Sequence, residues 1–263
     1  ASANRVVFMA GNIPPIITMS AVETRLGSAL SYIGREALRI VLPAWCVVCR
    51  GELPWRDRVA SSCGSCWRSL PSIGEAKCRS CAIPLSGGSL CIPCSADPVP
   101  VEWCEAWGEY RAGLERLLHA FKFERHEFLD APLAGLLEEV LRRRGDLAFD
   151  AIVPVPMHRA KHRRRGYNQA ELLAAALARR LRIRSEPRLL TKTLEKQTQS
   201  SLSRAARADN VRGVFSAAPA VRDRAVLLVD DICTTGETFR SCATELLAAG
   251  AARVCAVAVA KAV

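Results

Sequence analysis

Apolar residues recur at helical spacing between Val22 and Ile40, through Leu26, Leu30, Ile33 and Ala37, which predicts a helix over residues 20–41. The periodicity then fails. From about residue 43 to residue 97 the chain is rich in Gly, Pro and Ser, and Asp97-Pro-Val-Pro100 reads as a short stiff linker. Beyond it, short apolar runs alternate with helical patterns. Strands are predicted over residues 103–110, 151–156, 226–229 and 254–259, and helices over 114–123, 132–143, 168–181 and 237–249. Arginines close the 132–143 helix, where cations suit the helix dipole, and Gly250 ends the last one. Strands alternating with helices imply an α/β domain with a mostly parallel sheet flanked by helices. Ligands bind such sheets outside the carboxyl ends of the strands.

A chain of 263 residues suits one large or two unequal domains, and with half its residues apolar it can bury a sizeable core. The formal charge of +11 favours a polyanionic partner: nucleic acid, a diphosphate or an anionic membrane surface. A solvated basic surface would carry the same charge. No apolar run reaches the ~18 residues of a spanning helix. Residues 1–18 contain Pro14 and Pro15, lack the layout of a cleavable signal, and are expected to be a disordered extension, with Met19 as a candidate natural start. The expected location is cytoplasmic, with the inner membrane face as a peripheral alternative.

The twelve cysteines are informative through their spacing. Eight form four Cys-x-x-Cys pairs: Cys46/Cys49, Cys63/Cys66, Cys78/Cys81 and Cys91/Cys94. Two thiolates three positions apart on a tight turn share one tetrahedral ion, and two such pairs complete a four-cysteine zinc site. A secreted disulfide framework would not explain the regular pairing. Interleaved pairing would give a cross-braced module. The short and similar intervals favour sequential pairing, with Cys46, Cys49, Cys63 and Cys66 on one zinc and Cys78, Cys81, Cys91 and Cys94 on a second. No histidine accompanies the pairs, so both sites are expected to be structural.

The densest chemistry lies in Val226-Leu-Leu-Val-Asp-Asp-Ile-Cys-Thr-Thr-Gly-Glu-Thr238. It reads as a buried strand, then Asp230 and Asp231, then a loop of Thr234, Thr235, Gly236 and Thr238 opening a helix. Paired acids at a strand end can hold sugar hydroxyls or a metal. A threonine-rich loop at a helix start offers backbone N–H groups and hydroxyls to a phosphate. The combination suggests a ribose-phosphate site. An acidic strand end also suits a nucleotide hydrolase, but that chemistry needs a Gly-x-x-x-x-Gly-Lys-Ser/Thr run, which is missing.

Two further stretches concern anions. After the 151–156 strand comes a cationic loop with Arg163, Arg164 and Arg165, followed by Gly-Tyr-Asn168-Gln169 at a helix start. It suits a diphosphate or a nucleic-acid backbone, and Tyr167 is a candidate for stacking on a base. A polar, basic segment holding Gln199, Arg207 and Asn210 precedes Phe215 and has the composition of a mobile lid, or of an ordinary surface connection.

In order, the four Cys-x-x-Cys pairs, Leu118-His-Ala-Phe-Lys-Phe123, Arg165-Gly-Tyr-Asn-Gln169, Gln199-x-x-Leu202-x4-Arg207-x-x-Asn210 and Val-Asp-Asp-x-x-Thr-Thr-Gly-x-Thr238 resemble the ComF (ComFC-like) competence protein family. The resemblance covers the chain from about residue 40 to its end. It implies a small double zinc ribbon over residues 43–97 joined to a type I phosphoribosyltransferase-like domain over 101–263; the helical spacing before it makes 19–42 a helical lead-in. By resemblance, Asp230 and Asp231 hold the ribose of phosphoribosyl diphosphate, Thr234, Thr235, Gly236 and Thr238 hold its 5′-phosphate, and Mg²⁺ sits between the sugar and the diphosphate. The implied setting is handling of single-stranded DNA in natural transformation or related DNA processing, beside a DNA-uptake helicase or other competence proteins. The alternative is a metabolic phosphoribosyltransferase acting on an unidentified small acceptor. No residue stands out as a base for such an acceptor, and the zinc module is the candidate for the covering hood. Arginines at 142–144, 179, 180, 182 and 184 lie on predicted helices away from the site, and their spread favours polyanion binding.

Overall fold

The computed structural model describes residues 45–53, 61–193 and 214–263. The disordered extension expected at 1–18, the helical lead-in at 19–42 and the lid residues Gln199, Arg207 and Asn210 lie outside the described residues. Four parallel strands form the central sheet: β1 (Cys104–Glu109), β2 (Ala151–Pro154), β5 (Ala225–Cys233) and β6 (Arg253–Lys261), in the order β1-β6-β5-β2. A small antiparallel pair, β3 (Leu190–Lys192) and β4 (Phe215–Ala217), flanks the gap in the described chain.

Helices cover both faces of the sheet. α3 (Ala112–Phe123), α4 (Asp130–Arg144) and α6 (Gln169–Leu181) share one core with Leu227, Val229, Val257 and Val259. α7 (Glu237–Ala248) shares the other with Val226, Leu228, Val254 and Ala256. Alternate residues of β5 and β6 thus enter opposite cores, which is why these strands read as continuous apolar runs rather than alternating ones. Gly250, with φ of +96°, ends α7 as expected: its N–H reaches Leu247 O at 2.9 Å and the next N–H reaches Leu246 O at 3.0 Å.

The cysteine-rich segment contributes only two short helices, α1 (Gly64–Arg68) and α2 (Ile92–Ala96). It docks on the free edge of β1. Ser72 pairs antiparallel with Gly108, the Ile73 N–H donates to Trp107 O and the Glu109 N–H donates to Pro71 O, both at 2.8 Å. A side chain at Gly108 would place its Cβ 2.5 Å from Pro71 O and 2.7 Å from Leu114 Cδ2, so the docking requires glycine there. This contact covers an edge that would otherwise expose unpaired backbone groups. The linker is likewise tied down. Val99 N–H donates to Ser80 Oγ at 2.8 Å, and the Arg240 guanidinium of α7 donates to Asp97 Oδ1 at 3.0 Å and to Pro98 O at 2.9 Å. Cysteine module and sheet domain therefore belong to one compact unit. Among the described residues no helix is long and apolar enough to cross a membrane.

Candidate functional site

Two sulfur clusters assemble from the four pairs in sequential order. Cys46, Cys49, Cys63 and Cys66 form one and Cys78, Cys81, Cys91 and Cys94 the other, with all ligand atoms of a cluster within 4.8 Å of one another. Cys49 Sγ lies 3.9 Å from Cys63 Sγ, and Cys81 Sγ 3.7 Å from Cys91 Sγ. A tetrahedron with Zn–S bonds of ~2.3 Å has edges of ~3.8 Å, so both clusters fit zinc. Backbone N–H groups of Cys49 and Cys63 point at Cys46 Sγ, at 3.5 and 3.4 Å, and favour its thiolate. With four sulfurs each, the sites leave no open ligand position, and the zinc is structural.

The acid strand differs from its predicted form. β5 does not stop at Val229; it continues through Asp230 and Asp231 to Cys233, because its pairing with β6 persists to Cys233 opposite Lys261. The two acids therefore point to opposite sides of a strand. Asp231, 6 % exposed, meets the ammonium of Lys122 at 2.7 Å from Oδ2, and no other donor among the described residues reaches that oxygen. Asp230 accepts the Asp231 N–H at 2.8 Å. Burial first, and the charge of Asp231 second, push the Asp230 carboxyl well above the usual carboxylate range.

Thr234, Thr235 and Thr238 are exposed beyond the strand, around buried Gly236 at the start of α7. Gly236 adopts φ of +86°, and a Cβ there would stand 3.2 Å from Val99 Cγ2 and 3.6 Å from Cys81 Cβ. The phosphate-type loop is thus seated directly against the second sulfur cluster, and glycine meets both the left-handed backbone and the close approach. A cleft of about 120 Å³ opens in front, lined by Thr234, Thr235, Thr238, Ser241, Lys192 and Glu237, whose carboxylate pairs with Arg240 at 3.4 Å. Helix N-terminus, hydroxyls and a nearby lysine suit a phosphate. The buried Lys261 donates to Thr234 O from below.

The cationic loop expected after β2 is a helix instead, α5 (Arg159–Arg165), with the His158 side chain accepting the Ala160 N–H at its start. Arg163 and Arg164 are exposed, and among the described residues no carboxylate lies within ion-pairing distance of either. Arg165 turns inward: Nη1 donates to Gln169 Oε1 at 2.6 Å, and its guanidinium lies 4.7 Å from the Phe123 ring centre. Tyr167 is not available to a base. It is 9 % exposed and its hydroxyl donates to Phe121 O at 2.5 Å. Asn168, 3 % exposed, caps α6 by accepting the Ala170 N–H at 3.1 Å and donates to Val155 O at 3.1 Å. Gln169 is 2 % exposed, with Nε2 lacking a partner among the described residues. The Arg-Gly-Tyr-Asn-Gln run is therefore an internal clamp that joins the end of β2 to the end of α3. Arg165 and Tyr167 of this run also line a second cleft, of about 320 Å³, with Lys122, Phe123, Arg125 and Arg164.

The arginines away from this face are mostly neutralised. Arg142 and Arg180 reach Glu138 at 2.7 and 2.5 Å, Arg144 reaches Glu105 at 3.0 Å, Arg179 reaches Asp130 at 3.5 Å and Arg184 reaches Glu186 at 3.7 Å. Most of the arginines spread along these helices are thus paired, while exposed Arg182 has no carboxylate within ion-pairing distance among the described residues; α5 adds the unpaired Arg163 and Arg164 beside its cleft. Lys122 and Lys261 escaped the sequence reading. Lys122 sits in an apolar helical pattern where a lysine looks like the solvated end of a helix; the signal was its place inside Leu118-His-Ala-Phe-Lys-Phe123.

Residues 37–95 match the family model of the double zinc ribbon domain, and residues 163–262 that of the phosphoribosyl transferase domain. The chain is 32 % identical to the DNA utilization protein YhgH of Escherichia coli K12 over 220 residues, covering 82 % of this chain and 96 % of that one. It is 32 % identical to competence protein F of Haemophilus influenzae, over 74 % of this chain and 86 % of that one. It is 26 % identical to competence protein ComFC of Streptococcus pneumoniae, over 72 % of this chain and 82 % of that one. Among solved structures, a glutamine phosphoribosylpyrophosphate amidotransferase of B. subtilis aligns with a TM-score of 0.36 and 23 % identity, covering 49 % of this chain and 26 % of that one.

Proposed function

Because this chain belongs to the ComF family, in which a double zinc ribbon precedes a phosphoribosyltransferase domain, we propose that it binds phosphoribosyl diphosphate and single-stranded DNA in DNA uptake or processing. The supporting observation is one of placement. The ammonium that pairs with Asp231 also walls the cationic cleft, so the acid strand and the uncompensated charge of α5 share one rim of the sheet. In this reading Thr234, Thr235, Gly236 and Thr238 hold the 5′-phosphate and Asp231 faces the ribose, with Asp230 on the strand's other side. Magnesium fits as the ligand's counter-ion, because hard carboxylate oxygens stand beside a cationic cleft that suits a diphosphate. Asn168 and Gln169 support this site from inside. The competence and DNA-utilization names of the relatives give the setting.

Calorimetric titration with phosphoribosyl diphosphate and Mg²⁺, with and without a single-stranded oligonucleotide, tests the reading. The expected result is saturable binding that tightens when the oligonucleotide is present. No binding would remove the ligand, and binding indifferent to the oligonucleotide would favour a transferase with a small acceptor.

The DNA half has its own test in Arg163→Gln with Arg164→Gln, which spares the internal Arg165. Two phosphate contacts on a single strand each contribute ~0.7 to the slope of log affinity against log salt, so the slope is expected to fall by about 1.4. An oligonucleotide titration at several salt concentrations reads it directly, and an unaltered slope would place the DNA on another surface.

A further inference from the structure

Lys122 has two exposures to chemistry. It closes the last turn of α3 with its side chain 19 % exposed, and its ammonium stands 2.7 Å from Asp231 Oδ2. The same side chain lines the cationic cleft with Arg125, Arg164 and Arg165. Three like charges on one side and a carboxylate on the other hold it at the boundary between two subsites. Among the described residues no other donor reaches Asp231 Oδ2, so the ammonium stands where a cation bound to that carboxylate would be. A buried carboxylate that stays ionised is stabilised by a compensating charge, and an internal amine supplies it at any metal concentration.

We propose that Lys122 is a built-in competitor for divalent metal: its ammonium occupies the Asp231 carboxylate of the empty protein and keeps free metal off it until metal arrives already bound to a diphosphate ligand. The proposal rests on the ligand reading above and adds to it a residue that makes metal entry dependent on ligand. When the metal–diphosphate unit docks, Asp231 gains the metal's field and Lys122 is released towards the cleft, where a diphosphate supplies new anionic oxygens. The swing is short, because the cleft already includes the lysine's own side chain.

The test uses the full chain, free of phosphoribosyl diphosphate, titrated with Mn²⁺ alone and followed by electron paramagnetic resonance of the free ion. Lys122→Met keeps the aliphatic length and removes the charge. It is expected to bind Mn²⁺ at least about tenfold more tightly than the parent chain, a modest share of the interaction between unit charges at this separation. Lys122→Arg, which keeps the charge, is expected to match the parent. Lys122→Met with Asp231→Asn is expected to lose the gain, which assigns the metal to this carboxylate. Parental Mn²⁺ affinity in a folded Lys122→Met chain overturns the proposal, as does a gain that survives Asp231→Asn. Should Lys122→Met fail to fold, Lys122→Gln carries the same expectation, since it can still donate a hydrogen bond to Asp231 without a charge. If the parent chain binds no phosphoribosyl diphosphate, the ligand reading fails by itself, while the Mn²⁺ titration still decides what Lys122 does.

Discussion

Asp231→Asn is expected to reduce binding of phosphoribosyl diphosphate with Mg²⁺ by at least about a hundredfold. A hydrogen bond to a charged group is worth ~1.5–3 kcal/mol, and a carboxylate facing both sugar hydroxyls and a metal makes more than one such contact. The same change strands the ammonium of Lys122, whose side chain is only 19 % exposed, and stranding one partner of a largely buried pair costs ~3–5 kcal/mol of stability. Loss of binding must therefore be separated from loss of fold. Asp231→Asn combined with Lys122→Met removes both charges together. It is expected to recover most of the melting temperature and none of the ligand affinity. Adding Asp230→Asn should change little further. Calorimetry beside a thermal melt reads both quantities, and a double variant that binds ligand like the parent would take the ribose away from this strand.

Cys78→Ser is expected to lower zinc from two ions per chain to about one, and to weaken ligand binding as well. Structural zinc sites contribute ~10–16 kcal/mol of apparent binding energy to folding, so breaking one releases the segment that it organises. Here that segment is part of the ligand site's wall. Cys78 is fully buried, Ala82 of the same turn belongs to the core under β5 and α7, and Cys81 lies against Gly236. Cys46→Ser is the instructive contrast. Its cluster rests on the start of α3, where Val48 packs beside Gly113 and Arg116 donates to Val48 O. That variant should also lose one zinc, but its ligand affinity should change by no more than about threefold, within the range of context effects for a site it does not touch. Metal analysis with calorimetry distinguishes the two. Equal ligand losses in both variants would mean that zinc acts through global stability rather than through the Gly236 contact.

Much of this architecture was legible because it depends on local rules. The main strand and helix positions follow from runs and spacings that bury one face or both, and apart from the end of β5 their bounds differ from the expected ones by a residue or two; the short pair β3 and β4 carried no such signal. The pairing of the cysteines was legible for the same reason: a Cys-x-x-Cys turn fixes two ligands locally, and short intervals bring the next pair within reach. The end of β5 was not legible. Two adjacent carboxylates look like the start of a loop, and only the long partner strand β6 keeps the backbone paired as far as Cys233. The helix α5 was missed because a run of cations has no apolar stripe to give its period.

The inward turn of Asn168 and Gln169 was equally hidden. Polar residues at a helix start after a basic run read as ligand groups. Burial of this turn between β2 and α3 converts Asn168 into a cap and Tyr167 into a strut. The arginines of α4 and α6 show the reverse error, since a charge count sees cations and cannot see that Glu105, Asp130 and Glu138 neutralise them.

By itself, then, the sequence determined what short-range chemistry can encode: two four-cysteine clusters with zinc-ligand spacing, an α/β domain with a parallel sheet, and a strand–acid–threonine segment running into a helix. Only the tertiary structure decided which charges remain free, that the zinc module is fused to the edge of β1 and seated behind Gly236, and that Lys122 reaches Asp231 across the sheet's rim. The physical reason is range. Turns, caps and amphipathic faces are set within a few residues, whereas ion pairs and desolvation depend on which distant side chains the packed core brings together.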